Sequence, residues 1–94
     1  MKIVWTVRSL QDVETIADFI GQDDPAAADR LVRRMESQVS GLAHNPGIGR
    51  RGRVEGTREL VLSKTPYIAA YRIGDGAVEI LAIVHGAQRW PSSF

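Results

Sequence analysis

The 94-residue sequence predicts an α+β domain, with two antiparallel N-terminal helices packed on one face of a four-stranded antiparallel sheet. Three observations carry this expectation. Residues 57–62, 67–73 and 78–85 form strand-like apolar runs parted only by short breakers. Two stretches with apolar residues at helical spacing precede them, and an alternating run opens the chain. The predicted order is strand, helix, helix, strand, strand, strand.

Residues 2–7 alternate, placing Ile3, Trp5 and Val7 on one side of a strand. Ser9 with Asp12 reads as a capping box, the serine as N-cap. The stripe Leu10, Val13, Ala17 and Ile20, with Ile16 beside it, makes the first helix, and Gly21 stops it. Asp24-Pro25 starts the second helix, whose stripe is Ala28, Leu31, Val32, Met35, Val39 and Leu42. Asn45-Pro46 ends it, because the residue before proline avoids the α region.

Asp75-Gly76 between apolar runs predicts a two-residue type I′ hairpin. Counting outward pairs Arg72 with Glu79, Tyr71 with Ile80, Ala69 with Ala82 and Ile68 with Ile83. A four-residue loop at 63–66 sets Leu62 opposite Tyr67 and Leu60 opposite Ala69. One sheet face then carries Leu60, Leu62, Tyr67, Ala69, Tyr71, Ile73, Val78, Ile80, Ala82 and Val84 without a charge, and is the core face. The other is mixed: Glu59, Val61, Ile68, Ala70, Arg72, Glu79, Leu81, Ile83 and His85. Counting chain reversals makes the first strand antiparallel to the second and fourth, so the sheet is expected to be wholly antiparallel.

Residues 1–94 leave room for a single domain. The absence of cysteine excludes disulfides and thiolate metal sites and points to the cytoplasm. The opening MKIVWTV is not built as a signal peptide, and no apolar run reaches membrane-spanning length. A net charge of +1 is too small to imply a nucleic-acid partner alone. The cations are clustered, however. Arg50, Arg51, Arg53 and Lys64 in loops, with Arg30, Arg33 and Arg34 on the second helix, make one side arginine-rich. Arginine forks suit carboxylates and phosphates alike. The loop PGIGRRGR lacks the flanking strand and helix of a phosphate-binding loop, and has no Lys-Ser or Lys-Thr pair, which excludes that nucleotide fold.

The two histidines have no third ligand spaced for a metal, and no cofactor is expected. His44 suits a helix C-terminus. His85 ends the last strand, where it either bonds the tail that follows or shuttles protons. Arg72 opposite Glu79 reads as a cross-strand ion pair. Arg58 falls on the core side near the sheet margin, placed to snorkel out or to bond carbonyls of the preceding loop.

The element order, with GTREL, PYIAAYRI and VEILAIVHGAQRWP as they stand here, resembles the RelE/ParE superfamily of type II toxin–antitoxin toxins. The resemblance covers nearly the whole chain and is strongest over 56–91. It implies a growth-inhibiting toxin of a plasmid-stabilisation module, neutralised by a cognate antitoxin protein. It also implies one of two targets: DNA gyrase, or mRNA cleaved on the ribosome.

RelE-like ribonucleases stabilise developing phosphate charge with cations, yet the positions matching two lysines and an arginine of that pattern are Glu59, Val61 and Ile68. If the chain is a ribonuclease, its catalytic groups are Arg72, His85 and Arg89. The ending resembles the ParE side, which makes gyrase inhibition the favoured expectation. A non-toxic, antitoxin-binding relative is the third. The expected antitoxin- or target-binding residues are Arg50, Arg51, Arg53, Arg58, Lys64, Ile68, Leu81, Ile83, Gln88 and Trp90. The antitoxin is expected to pair at a sheet edge or lay a helix on the surface, held by arginines, with Trp90 an anchor for the target.

Overall fold

A computed structural model describes residues 1–94. Strand β1 (Lys2–Trp5) leads into helices α1 (Val7–Gly21) and α2 (Pro25–Ser40). Two 3₁₀ turns, Gly41–Ala43 and Pro46–Ile48, connect to strands β2 (Arg50–Arg51), β3 (Arg58–Val61), β4 (Tyr67–Gly74) and β5 (Ala77–His85). The α+β class and the two helices on one sheet face are as the sequence predicts. The sheet differs: it has five strands in the order β1-β5-β4-β3-β2, and β1 runs parallel to β5. The additional strand is the reason. Arg50 and Arg51 form a short antiparallel pair with Glu59 and Arg58, adding one chain reversal before β3 and inverting the parity of every later strand relative to β1.

Capping also shifts. The α1 N-cap is Thr6, whose Oγ1 accepts from the Ser9 amide at 3.2 Å, so Ser9 is a third-position residue and not the cap. Ser9 is buried and Leu10 exposed. For α2, Asp24 caps and Pro25 opens the helix as expected. The β4–β5 loop is the expected two-residue Asp75-Gly76 connection, but only Gly76 has positive φ (+71°), so the turn is not type I′.

From that loop the register runs as predicted to Tyr71–Ile80 and then slips. Ala70 pairs with Ala82, Ala69 with Ile83, Ile68 with Val84 and Tyr67 with His85, leaving Leu81 as an extra residue on β5. This β-bulge exchanges the faces of everything after it. Helix α1 supplies its missing partners. Thr6 Oγ1 donates to the Ile80 carbonyl at 2.7 Å, its amide donates to the same oxygen at 3.1 Å, and Asp12 accepts from the Ile83 amide at 3.0 Å.

Because of the bulge, Ile83 joins the helix-side core with Met35, Val39, Leu42, Leu62, Ala69, Tyr71, Val78 and Ile80. Ala82 and Val84 move to the opposite face, beside Ile68 and Ala70, and all four are buried. The chain after β5 folds back there. The Gly86 amide donates to the Pro66 carbonyl at 2.8 Å, and Trp90 lies beneath the Arg53 guanidinium, 3.8 Å from the ring centroid. Both faces of the central strands are therefore covered, one by helices and one by the tail. No helix is long and apolar enough to cross a membrane.

Candidate functional site

The arginine-rich end is built around one acid. Glu59 lies on β3 and is 3% exposed. Its Oε1 accepts from Arg50 Nε and Nη2 at 3.1 and 2.9 Å. Arg53 donates to Oε2 through its amide at 2.8 Å and its Nε at 3.1 Å, and to Oε1 through Nη2 at 3.3 Å. Burial pushes this carboxyl up, but the Arg53 side-chain and amide bonds, the Arg50 bonds and the Arg53 charge outweigh it and hold it below the usual glutamate value. Glu59 thus ties β2 and the loop after it to the sheet. Sequence reasoning placed Glu59 on the mixed face but missed this role. The available signal was an acid beside Arg58 within reach of a strand of loop arginines.

Tyr71 anchors the preceding turn from the core side. Its buried hydroxyl donates to the Pro46 carbonyl at 2.6 Å and accepts from the Gly49 amide at 2.9 Å. A Cβ on Gly49 would stand 2.5 Å from that hydroxyl, and one on Gly52 2.1 Å from Thr57 Oγ1. Gly49 and Gly52 of PGIGRRGR are therefore required by close packing, whereas a Cβ on Gly47 would meet nothing within 4 Å. Arg58 bonds the loop carbonyls as the sequence led one to expect, with Nη1 donating to Gly49 at 2.8 Å.

Between the β2–β3 connection and the end of β4 lies an open pocket of about 520 Å³, lined by Arg51, Arg53, Arg58, Glu55 and Ile73 among others. Arg51 has no acidic partner there, whereas Arg50 and Arg53 are committed to Glu59. Lys64, at φ +63°, belongs to the β3–β4 turn at the other end of β3.

The remaining residues singled out in the sequence do not converge. Arg72 pairs with Glu79 at 2.9 Å, on the tail-side face. His85 stands opposite Tyr67 on the helix-side face, edge-on to its ring at 5.5 Å, and its Nδ1 accepts from the Ala87 amide at 3.0 Å. The expected mixed-face position of His85 is thus corrected by the bulge. Arg72 and Tyr67 are five residues apart on β4, roughly 17 Å at strand rise, so Arg72 and His85 sit at opposite ends and on opposite faces. Gln88 is exposed and its Oε1 accepts from the His85 amide at 3.2 Å. Arg89 is exposed on the tail. Ile68, Leu81 and Ile83, expected as surface for a partner, are 7%, 7% and 4% exposed. The tail and the bulge remove them from solvent. Trp90 is half-buried against Arg53, with its indole N–H enclosed and without an acceptor.

Residues 3–90 match the family described as the ParE toxin of the type II toxin–antitoxin system parDE. The chain belongs to the ParE toxin family. Among its relatives is a Sinorhizobium fredii protein named as a toxin, Y4kP, 48% identical over 96% of this chain and 93% of its own length. Another is toxin RelE2 of Caulobacter vibrioides, 40% identical over 93% of this chain and 97% of its own. A chain of the chromosomal ParDE system from P. aeruginosa superposes with a TM-score of 0.84 at 31% identity, covering 90% of this chain and 95% of that one. The YoeB/ParE toxin from Agrobacterium tumefaciens shares the fold at a TM-score of 0.59 and 24% identity, over 88% and 95% of the two chains. As a ParE-family protein the chain is a type II toxin, and its family implies a cognate antitoxin as partner.

Proposed function

We propose that this toxin arrests growth by inhibiting DNA gyrase and that it has no ribonuclease centre. The observation that supports this reading most is the separation of Arg72 from His85, on opposite faces and roughly 17 Å apart along the strands. General acid–base cleavage needs its groups within hydrogen-bond reach of one phosphodiester. Glu59 adds to the argument. Where a RelE-like enzyme would present a cation, this chain presents a carboxylate, which pairs with both neighbouring arginines. The similarity to a ParDE chain points the same way.

Arg72→Ala and His85→Ala tested in a growth-arrest assay separate the two modes. A gyrase inhibitor retains arrest in both variants, since neither group performs chemistry. Loss of arrest in either variant, with the protein still folded, supports the ribonuclease.

For the antitoxin we assign the open edge of β3. Strand β2 covers only Arg58 and Glu59, leaving Leu60 and Val61 without an outer neighbour. Leu62 donates its amide inward to Tyr67, so alternation points the peptide groups of Val61 outward. Ile48 (60% exposed) and Val61 (51%) flank this edge as apolar contacts for an added strand. Of the arginines expected to hold the antitoxin, Arg51 is the one in β2 whose charge is unspent.

A further inference from the structure

We infer that the pocket between the β2–β3 connection and the end of β4 is a binding site for the phosphodiester backbone of a nucleic acid. Three guanidinium groups line it, from Arg51, Arg53 and Arg58, against the single carboxylate of Glu55. Each retains donors. Arg51 makes no side-chain bond, Arg53 spends only Nε and Nη2 on Glu59, and Arg58 spends only Nη1 on the loop carbonyls. A guanidinium carries five N–H donors in a fork that fits two phosphate oxygens. The Glu59 and Tyr71 contacts hold Arg53 and the loop in place before any ligand arrives, so little ordering is required on binding.

The lining chooses between the two anions that arginine serves. Tight peptide recognition needs apolar or aromatic subsites to bury anchors. Here Ile73 is the one hydrophobic residue among eight. Recognition of a sugar–phosphate backbone needs cations and hydrogen-bond donors alone. The pocket is also half open, a volume of about 520 Å³ that a strand of phosphates can cross. The inference is independent of the target: duplex DNA would be the ligand at gyrase and single-stranded RNA at a ribosome.

The test is fluorescence-anisotropy titration of the purified full-length toxin into a labelled 20-base-pair DNA duplex and a labelled single-stranded RNA, across a salt series. Arg51→Glu should weaken binding about tenfold or more at low salt, and Arg51→Gln should lower the salt slope by about one. Arg34→Glu, which makes the same charge change on the exposed face of α2, should leave affinity within about twofold. Equal losses from Arg51→Glu and Arg34→Glu, or wild-type binding by Arg51→Glu, would overturn the site. So would the absence of binding to either nucleic acid at low salt. Binding to RNA alone, still lost in Arg51→Glu, would uphold the site while counting against the gyrase reading.

Discussion

Replacing Glu59 with glutamine tests the physical centre of the arginine-rich end. The carboxylate accepts five hydrogen bonds, three on Oε1 and two on Oε2. A glutamine must place its amide NH₂ at one of those positions, where it meets donors. If it keeps the Oε1 contacts, the Arg53 amide and Nε lose their acceptor. If it keeps the Oε2 contacts, the Arg50 fork does. Charge-assisted bonds of this kind contribute about 1.5–3 kcal/mol. Arg50 and Arg53 are 54% and 44% exposed, so water recovers part of their loss and the lower half of that range applies. Glu59→Gln should therefore cost about 1.5–2 kcal/mol, lowering Tm by roughly 6–16 °C for a domain of this length. The pH dependence supplies the sign. The folded-state pKa of Glu59 lies below its unfolded value, so its contribution is complete above an unfolded pKa of about 4.3 and is lost as pH falls through the lower folded value. Urea melts of both proteins between pH 7 and pH 3 should show the full gap at neutrality and convergence in acid. A variant as stable as wild type at pH 7, or a gap that persists unchanged in acid, would refute the account of this carboxylate.

Tyr71→Phe removes the donor to Pro46 and leaves the buried Gly49 amide without an acceptor, so thermal melts should show a loss of about 2–3 kcal/mol. Val61→Pro deletes an amide that points away from β4, so stability should stay within about 1 kcal/mol while antitoxin affinity, measured by calorimetry, falls at least tenfold; unaltered affinity would move the antitoxin off this edge. Deleting residues 89–94 removes the Trp90–Arg53 stack and bares the face holding Ile68, Ala70, Ala82 and Val84. The truncated toxin should lose growth arrest while circular dichroism still reports a folded core, and arrest at wild-type levels would exclude the tail from the target surface.

Which parts of this molecule could be read from the sequence follows from how local their causes are. The Asp75-Gly76 hairpin set the pairing of Arg72 with Glu79 and of Tyr71 with Ile80, because a two-residue loop leaves no freedom in register. The bulge at Leu81 was not legible. Its stabilising partners are Thr6 and Asp12, more than 60 residues earlier in the chain, and nothing in the alternation of β5 marks it. One unseen residue then carried His85, Ile83 and Val84 to the wrong faces. Strand β2 was hidden for a related reason. Two arginines in a glycine-rich loop have no strand pattern, and they pair with β3 because Glu59 accepts from both sides of the loop. Missing that strand also inverted the expected direction of β1. The Arg72–Glu79 bridge was readable because it depends on neighbours fixed by a short turn, and the bonds from Arg58 to the loop carbonyls because a cation at the sheet margin beside a loop has those carbonyls in reach. The burial of Ile68, Leu81 and Ile83 was not, since it depends on the bulge and on a tail that folds back from beyond β5.

The most direct test of the gyrase reading is to assay one toxin preparation for inhibition of gyrase-catalysed supercoiling and for cleavage of mRNA on translating ribosomes. The separation of Arg72 from His85 and the carboxylate of Glu59 in place of a cation predict dose-dependent loss of supercoiling with full-length mRNA preserved. Intact supercoiling together with codon-positioned mRNA cuts that vanish in His85→Ala would contradict it.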